Sequence, residues 1–263
     1  MPHAKKLHDQ FGAQGLHVLL VESQAHKREE TLAFTLQAFP GHGAQGVLGA
    51  DSPFSVEGAG LPKTALVGVD GKVAWISDKG GSLEKILEDQ FSRLHQVNGE
   101  LDKSLKSVTK DLNTRALGKA VTTARAAAAK AADGSKAKTD AEALVAHLEK
   151  TVERRMAMAE RLLKAGRAAK ARAALVNLQK QVAGEKDWTQ KVTDEIGSID
   201  QDHKDDLAAD KLVMAAEDLM RDKKGRQAGV DKLAEVTKKF SGAKVAKLAE
   251  QLSKAAQDKS VMR

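Results

Sequence analysis

The chain has 263 residues, of which 41% are hydrophobic and 30% are charged. This hydrophobic fraction is too large for a disordered chain, so at least one core must form. The sequence contains no cysteine, which excludes disulfides, thiolate metal sites and a cysteine nucleophile within it. No apolar run reaches the roughly 20 residues of a membrane-spanning helix, and no signal peptide opens this sequence. A net charge of +7 favours weak attraction to polyanions without indicating a specific nucleic-acid partner.

Composition divides the chain into two parts near residues 92–100. All four prolines, five of the six phenylalanines and 12 of the 21 glycines come before Ser92. The net charge is −3 over residues 1–92 and +10 over the rest, which is rich in Ala, Lys and Leu. Turn formers and aromatics are typical of an α/β domain, whereas a proline-free Ala/Lys/Leu segment is typical of a helical one. We therefore predict an α/β domain over residues 1–95 and an α-helical domain over residues 96–263.

The first part begins with a short amphipathic helix, predicted over residues 3–11. The run Leu16-His17-Val18-Leu19-Leu20-Val21 then has the apolar pattern of a strand that is buried on both faces. A second helix is predicted over residues 26–39 and ends at Pro40-Gly41. Val47-Leu48 is a candidate short strand after that helix.

A β-hairpin is predicted over residues 64–76. The pair Asp70-Gly71 separates two apolar runs, and both central residues of the tightest hairpin turns need positive φ, which this pair tolerates. Ser82 is a candidate N-cap for a following helix that buries its apolar stripe. That stripe comprises Leu83, Ile86, Leu87 and Phe91.

Four stretches of the first part, in this order, resemble the thioredoxin fold and specifically the TlpA/AhpC-like thiol-disulfide oxidoreductases. Met1–Leu7 resembles the helix that follows the redox motif, and Gly15–Val21 resembles the strand after it. Gly60–Thr64 resembles the loop with a cis-proline, and Val67–Val73 resembles the family's Asp-Gly hairpin. The resemblance covers residues 1–92, about a third of the chain, and implies an α/β thioredoxin-like domain.

The family's redox segment is missing from this sequence. Relatives have a strand that leads into a Trp-Cys-x-x-Cys motif, and Pro2 stands where a proline follows that motif. The missing strand would lie between the strands at residues 16–21 and 64–69, whose backbone edges would otherwise stay unpaired at a cost of about 1–3 kcal/mol for each orphaned group. We therefore expect a chain truncated upstream of Met1; the alternative is a degenerate domain that closes its sheet differently. Direct pairing of residues 16–21 with 64–69 would contradict truncation.

The resemblance also implies a site. Gly60, Leu61 and Pro62 would shape the groove that holds extended substrate backbone beside the cysteines. No catalytic residue, cofactor or metal ligand is predicted in this chain, because thiol-disulfide exchange requires a thiolate. The family further implies a protein substrate or protein partner and an extracytoplasmic, periplasmic location.

The second part is predicted to be a helical bundle or a short helical repeat. Apolar residues have helical spacing over residues 99–131, Asp133-Gly134-Ser135 breaks the helix, and Thr139–Glu142 is a capping box that begins the next one. A weak repeat follows, in which Gly166 and Gly184 correspond to Gly225 and Gly242. The layout of helix, glycine turn and helix resembles tetratricopeptide-like helical hairpins.

Two other features of this part are assigned to solvated surface. Asp200, Asp202, Asp205 and Asp206 cluster around His203, and we predict an interhelical loop there because the glycine of a calcium loop is missing at the required offset. The Ala/Lys-rich stretch 119–138 has no aromatic residue that could stack on bases, so it is assigned to helix surface.

Three function classes follow from these observations. The first is a protein of the thiol-disulfide oxidoreductase type that is redox-inactive as given. The alternative is a noncatalytic adaptor that uses the helical part to hold another protein. A third class, polyanion binding by the basic part, predicts retention on heparin that is lost at modest salt.

Overall fold

The computed structural model describes residues 7, 16, 18–21, 30–31, 45–47, 64–68, 72–76, 82–93, 101–220 and 223–257. They belong to two compact units, each assembled from separate stretches of the chain. Unit 1 comprises Met1–Ser55, Arg161–Ala171 and Ile199–Arg263, and unit 2 comprises Val56–Glu160 and Arg172–Ser198. The predicted division at residues 95/96 stays a prediction.

Two short strands of unit 1 form a parallel pair. Strand β1 (Leu19–Val21) lies beside β2 (Gln45–Val47), with Val21 opposite Val47. Parallel neighbours need a crossover connection, and Glu30 and Thr31 within the connection are helical. Leu7 is helical too; the remaining residues of the predicted helices 3–11 and 26–39 lie outside the described part of the chain.

The predicted hairpin in unit 2 is confirmed. Strand β3 (Ala65–Val67) pairs antiparallel with β4 (Val73–Ile76), and the amide of Gly68 donates a 2.7 Å hydrogen bond to the carbonyl of Lys72. The turn residues 70–71 are outside the described residues. Among the described strands no pairing joins β1 to β3, and the missing-strand hypothesis stays a hypothesis.

Helix α1 (Leu83–Arg93) follows the hairpin as predicted. The Ser82 hydroxyl accepts a hydrogen bond of 3.4 Å from the amide of Lys85, so the predicted N-cap is confirmed. Leu83 and Leu87 are buried. The predicted stripe is therefore confirmed at Leu83 and Leu87, while Ile86 is half-buried and the side chain of Phe91 lies outside the described residues.

From residue 101 onward every described segment is built from helices and short turns, which confirms the prediction of a helical second part. Single 3-10 turns occupy Lys103–Leu105 and Lys223–Gly225. The α-helices are α2 (Lys106–Asn113), α3 (Leu117–Lys130), α4 (Lys136–Lys164), α5 (Ala168–Val182), α6 (Lys186–Asp202), α7 (Lys204–Leu219), α8 (Arg226–Lys239) and α9 (Ala246–Gln257).

Two helix boundaries differ from the predictions. The capping box at Thr139–Glu142 was wrong as a helix start, because α4 begins at Lys136 and the Ser135 hydroxyl accepts the amide of Lys138 at 3.3 Å. The helical spacing over 99–131 is interrupted at Arg115, whose φ of 59° turns the chain between α2 and α3. No glycine or proline marks that turn in the sequence.

The predicted loop around His203 was also wrong. Helix α6 continues to Asp202 and α7 begins at Lys204, so His203 alone separates them. Hydrogen bonds continue through the junction, from the amide of His203 to the carbonyl of Ile199 and from the amide of Leu207 to that of His203. The acidic cluster therefore lies on two consecutive helices.

The core of unit 1 is made by α7, α8 and α9. Small and β-branched side chains dominate it, which lets the helices approach closely. A Cβ on Gly229 of α8 would lie only 2.5 Å from Met220 Cγ. The buried members are Ala209, Val213, Ala216, Met220, Val230, Leu233, Val236, Val245, Ala249, Leu252 and Ala256.

The repeated glycines lie in equivalent places but not in equivalent conformations. Each begins or ends a turn between two helices, as the sequence predicts. Gly166 and Gly184 have φ of 77° and 97°, which favours glycine, whereas Gly225 has φ of −84°. The repeat is thus one of element order, and its turns differ in backbone geometry.

Candidate functional site

The groove residues predicted by resemblance, Gly60, Leu61 and Pro62, lie outside the described residues. Strand β3 begins at Ala65, three residues after Pro62. No thiol exists in this sequence to act beside them. The groove therefore stays a prediction, and the described candidates are two charged junctions between helices.

The junction in unit 1 is centred on Arg167, which follows the glycine turn between α4 and α5. Its Nη1 and Nη2 donate to the two carboxylate oxygens of Glu217 at 2.6 and 2.9 Å, and its Nε lies 2.7 Å from Asp210 Oδ1. Lys170 Nζ lies 2.9 Å from Glu217 Oε2. This junction connects the beginning of α5 with one face of α7.

Asp210 also supplies the N-cap that α5 lacks in its own sequence. Its Oδ2 accepts the amide of Ala169 at 2.8 Å and that of Lys170 at 3.2 Å, two of the N–H groups that a helix start leaves unpaired. The first turn of α5 carries no acidic residue. A carboxylate 41 residues away in the sequence thus takes the role that a local Asp or Ser usually plays.

Burial controls the protonation of this junction. Asp210 has no exposed surface, and burial raises its pKa above the ordinary value although Arg167 and the two amides oppose that shift. Burial would also raise the pKa of Glu217, but hydrogen bonding and the charges of Arg167 and Lys170 lower it below the ordinary value. Two neighbouring carboxylates are thereby shifted in opposite directions.

The junction in unit 2 is centred on Arg125 of α3. Its Nη2 lies 2.9 Å from Glu149 Oε1 on α4, and its Nη1 lies 3.1 Å from Glu185 Oε1 before α6. Its guanidinium carbon lies 5.9 Å from the ring centroid of Trp188, within the range of a cation–π contact. About half of the Arg125 side chain remains exposed.

Glu185 is the local cap of α6. Its Oε2 accepts the amide of Trp188 at 2.6 Å, and the Trp188 side chain is buried beside it. Trp188 therefore serves in packing. The cap, the ring and the guanidinium together fasten the first turn of α6 to α3.

Carboxylates from distant helices cap other segments as well. Asp206 Oδ1 accepts the amide of Lys244 at 2.9 Å, just before α9, and Asp140 Oδ2 accepts the amide of Asp102 at 2.9 Å. Both contacts join residues 38 positions apart. Hydrogen bonds from a carboxylate to a backbone amide of a distant segment thus recur in the described helical part.

These junctions are suited to holding helices rather than to chemistry. Asp210 is sealed from solvent and Arg167 is nearly so, which leaves a substrate no access to their charged atoms. Among the described residues, no three His, Cys, Asp or Glu side chains are grouped so that they could hold a metal ion. None of the described helices combines the length and the hydropathy of a membrane span.

The junction residues were not predicted from the sequence, although the sequence contains one indication of them. Asp206, Asp210 and Glu217 follow the spacing of one helix face, and Asp210 lies among the buried positions Ala209 and Val213. An acidic residue within an apolar stripe indicates a buried partner of opposite charge. What the sequence did not give was the identity of that partner, Arg167.

Comparison with protein-family models, with curated proteins and with solved structures finds no match for this chain. The thioredoxin-like and tetratricopeptide-like assignments therefore stay predictions.

Proposed function

We propose that this chain is a noncatalytic scaffold whose helical part binds another protein. The observation that carries the proposal is the capping of one helix by carboxylates of another, above all at Asp210. Because each such contact forms only when two helices are docked, it favours one fixed arrangement of their solvent-facing side chains. A fixed surface of that kind is what a helical binding module presents to a partner.

The N-terminal part is proposed to be a thioredoxin-like domain without redox activity. Three described features support this: the parallel pair of β1 and β2, the antiparallel hairpin of β3 and β4, and the helix α1 directly after it. In this proposal the loop at Leu61-Pro62 holds extended polypeptide but performs no exchange, since the sequence has no thiol.

The scaffold function predicts a protein partner that depends on the folded helical part. The tagged full chain and its Asp210→Ala variant are compared for the proteins that each retains after cross-linking in cells. We expect at least one protein to be retained about tenfold less by the variant, since loss of the buried carboxylate loosens α5 and α7. Equal retention by both, or nothing above an unrelated tagged control, contradicts the proposal.

The redox-inactive assignment has a separate test. The purified full chain is assayed for thiol-dependent reduction of insulin beside a thioredoxin of known activity. We expect a rate equal to that of the buffer alone, because no sulfur is available to attack the disulfide. Turnover above that background contradicts the assignment.

A further inference from the structure

The last two helices of unit 1 carry a marked excess of lysine. Residues 223–257 contain nine basic and three acidic residues, whereas residues 199–220 contain two basic and seven acidic ones. Several acidic side chains of the second stretch bind other segments, as Asp206, Asp210 and Glu217 do. The positive excess, in contrast, lies largely on exposed side chains.

Four of these lysines surround one turn. Lys238 and Lys239 end α8, Lys244 precedes α9 and Lys247 lies in its first turn, and all four are exposed. Lys239 is paired with Glu235 at 2.7 Å. For Lys238, Lys244 and Lys247, no carboxylate of the described residues lies within ion-pair distance.

A second basic turn packs directly against the first. A Cβ on Gly166 would lie 2.9 Å from the backbone carbon of Lys244 and from the nitrogen of Val245. The turn between α4 and α5 therefore adjoins the turn between α8 and α9. Arg161 and Lys164, which end α4, are exposed as well. We call these six cations, Arg161, Lys164, Lys238, Lys239, Lys244 and Lys247, the basic surface.

Folding alone does not account for this distribution of charge. Arg161, Lys164, Lys238 and Lys239 stand at the C-terminal ends of helices, where the helix dipole favours cations. Lys244 and Lys247 stand at the start of α9, where the dipole disfavours them, and the first turn of α9 contains no acidic residue. One carboxylate, that of Asp206, accepts the amide of Lys244 just before this helix, and the two cations stand beside it. The helix dipole therefore does not explain the lysines at these two positions.

We propose that the basic surface binds an acidic segment of the partner protein, an inference that rests on the scaffold function proposed above. One feature favours an acidic peptide over a nucleic acid. The aromatic residue of the turn, Phe240, packs against the core, which leaves it unable to stack on a base.

The test is a titration of the full chain with a fluorescein-labelled peptide of ten glutamates, read by fluorescence anisotropy at low and at physiological salt. Charge reversal by Lys238→Glu, Lys244→Glu and Lys247→Glu together is expected to weaken binding at least about tenfold, and salt is expected to weaken binding of the unaltered chain.

A matched variant controls for net charge. Lys130→Glu, Lys150→Glu and Lys180→Glu change the charge by the same amount at three exposed sites of unit 2. We expect this variant to keep peptide affinity within about twofold at physiological salt, because none of its three sites belongs to the basic surface. Circular dichroism of both variants confirms that their helix content is unchanged.

Three results would overturn the proposal. They are no binding of the peptide by the unaltered chain, an equal loss in the two variants, and tighter binding of a ten-residue oligothymidylate that the first variant abolishes. The scaffold function is judged separately. If the variant with Lys238→Glu, Lys244→Glu and Lys247→Glu still captures the cross-linked partner, only the role of the basic surface is refuted. If the unaltered chain captures no partner, the scaffold function is refuted, and the peptide titration still tests the basic surface.

Discussion

The two charged junctions use the same chemistry at very different depths. Each places one guanidinium between a buried carboxylate, Asp210 or Glu185, and a more open one, but the side chain of Arg167 is 11% exposed whereas that of Arg125 is 46% exposed. A buried charge that loses its partner keeps its full desolvation penalty, whereas an exposed one regains water. The same interaction is therefore structural in unit 1 and peripheral in unit 2.

The two junctions should differ most in the stability that is lost when one carboxylate of each is removed. Asp210→Ala leaves two amides uncapped and Arg167 with Glu217 as its remaining carboxylate partner, so we expect it to lower the free energy of unfolding by about 2–4 kcal/mol. Glu149→Ala removes one exposed partner of Arg125 and should cost less than about 1 kcal/mol. Urea unfolding followed by circular dichroism measures both.

Asp205→Ala is the control on the same helix, since this exposed carboxylate lies one turn before Asp210 and outside the junction. We expect the stability to change by less than about 1 kcal/mol. If Asp210→Ala fails to fold, Asp210→Asn, which can still accept the amide hydrogen bonds, should give an intermediate loss. Equal costs for Asp210→Ala and Glu149→Ala would contradict the contrast between the two junctions.

If its charged junction is weak, unit 2 must be held by packing. A Cβ on Gly118 of α3 would overlap the carbonyl oxygen of Val182 at the end of α5, so Gly118→Ala should cost about 1–3 kcal/mol. Gly197 in α6 has open space around its Cα, and Gly197→Ala should raise stability by about 0.5–1 kcal/mol. Thermal unfolding of the two variants measures both changes in stability. Changes of the same sign in the two variants would contradict this account of the packing.

The stability of unit 1 should depend on pH through the Glu217 carboxylate. The pKa of Glu217 is lower in the folded chain than its ordinary value of 4.5, so the unfolded chain binds more protons just below that pH. Glu217 therefore stabilises the fold above pH 4.5, and this contribution is lost as the pH falls through the folded pKa. Asp210 has the opposite slope, because burial raises its pKa and the charge of Glu217 adds to that rise.

Glu217→Gln should thus be less stable than the unaltered chain by about 1–2 kcal/mol at pH 7, with the difference shrinking as the pH falls below 4.5. Urea unfolding at a series of pH values measures it. Glu195→Gln, on an exposed position of α6, is the control and should change stability by less than about 0.5 kcal/mol at pH 7. If the difference in stability between the two proteins stayed constant down to the lowest pH at which both fold, the lowered pKa of Glu217 would be contradicted.

The smallest effect is expected at Arg125. Arg125→Lys keeps the charge but loses the planar group that reaches Glu149, Glu185 and the Trp188 ring at once. Because the site is half exposed, we expect a loss of about 0.5 kcal/mol in urea unfolding. A loss of several kcal/mol would place the junction of unit 2 in the same class as that of unit 1.

Local signals predicted part of this structure. The Asp-Gly hairpin, the Ser82 cap, the helix break at residues 133–135 and the repeated glycines depend on neighbours within a few residues, and the structure contains each described part of them. The break at Arg115 was missed because an arginine in the left-handed region follows from packing and has no local signature.

The junctions were missed for a different reason. Thr139–Glu142 has the pattern of a capping box, yet Asp140 accepts the amide of a residue 38 positions away. Asp210 does the same for α5 across 41 residues. A contact between distant residues has no fixed spacing, so one sequence shows that a buried carboxylate needs a partner but not which residue provides it.

The most direct test is amide hydrogen exchange at Ala169 and Lys170. Amides in the first turn of a helix ordinarily have no intrahelical acceptor and exchange quickly. Asp210 is buried and accepts a hydrogen bond from each of these two amides. We therefore predict that the amides of Ala169 and Lys170 exchange as slowly as the core amides of Leu233 and Val236. Exchange at the rate of an exposed first turn would contradict the claim that this buried carboxylate holds the helical scaffold together.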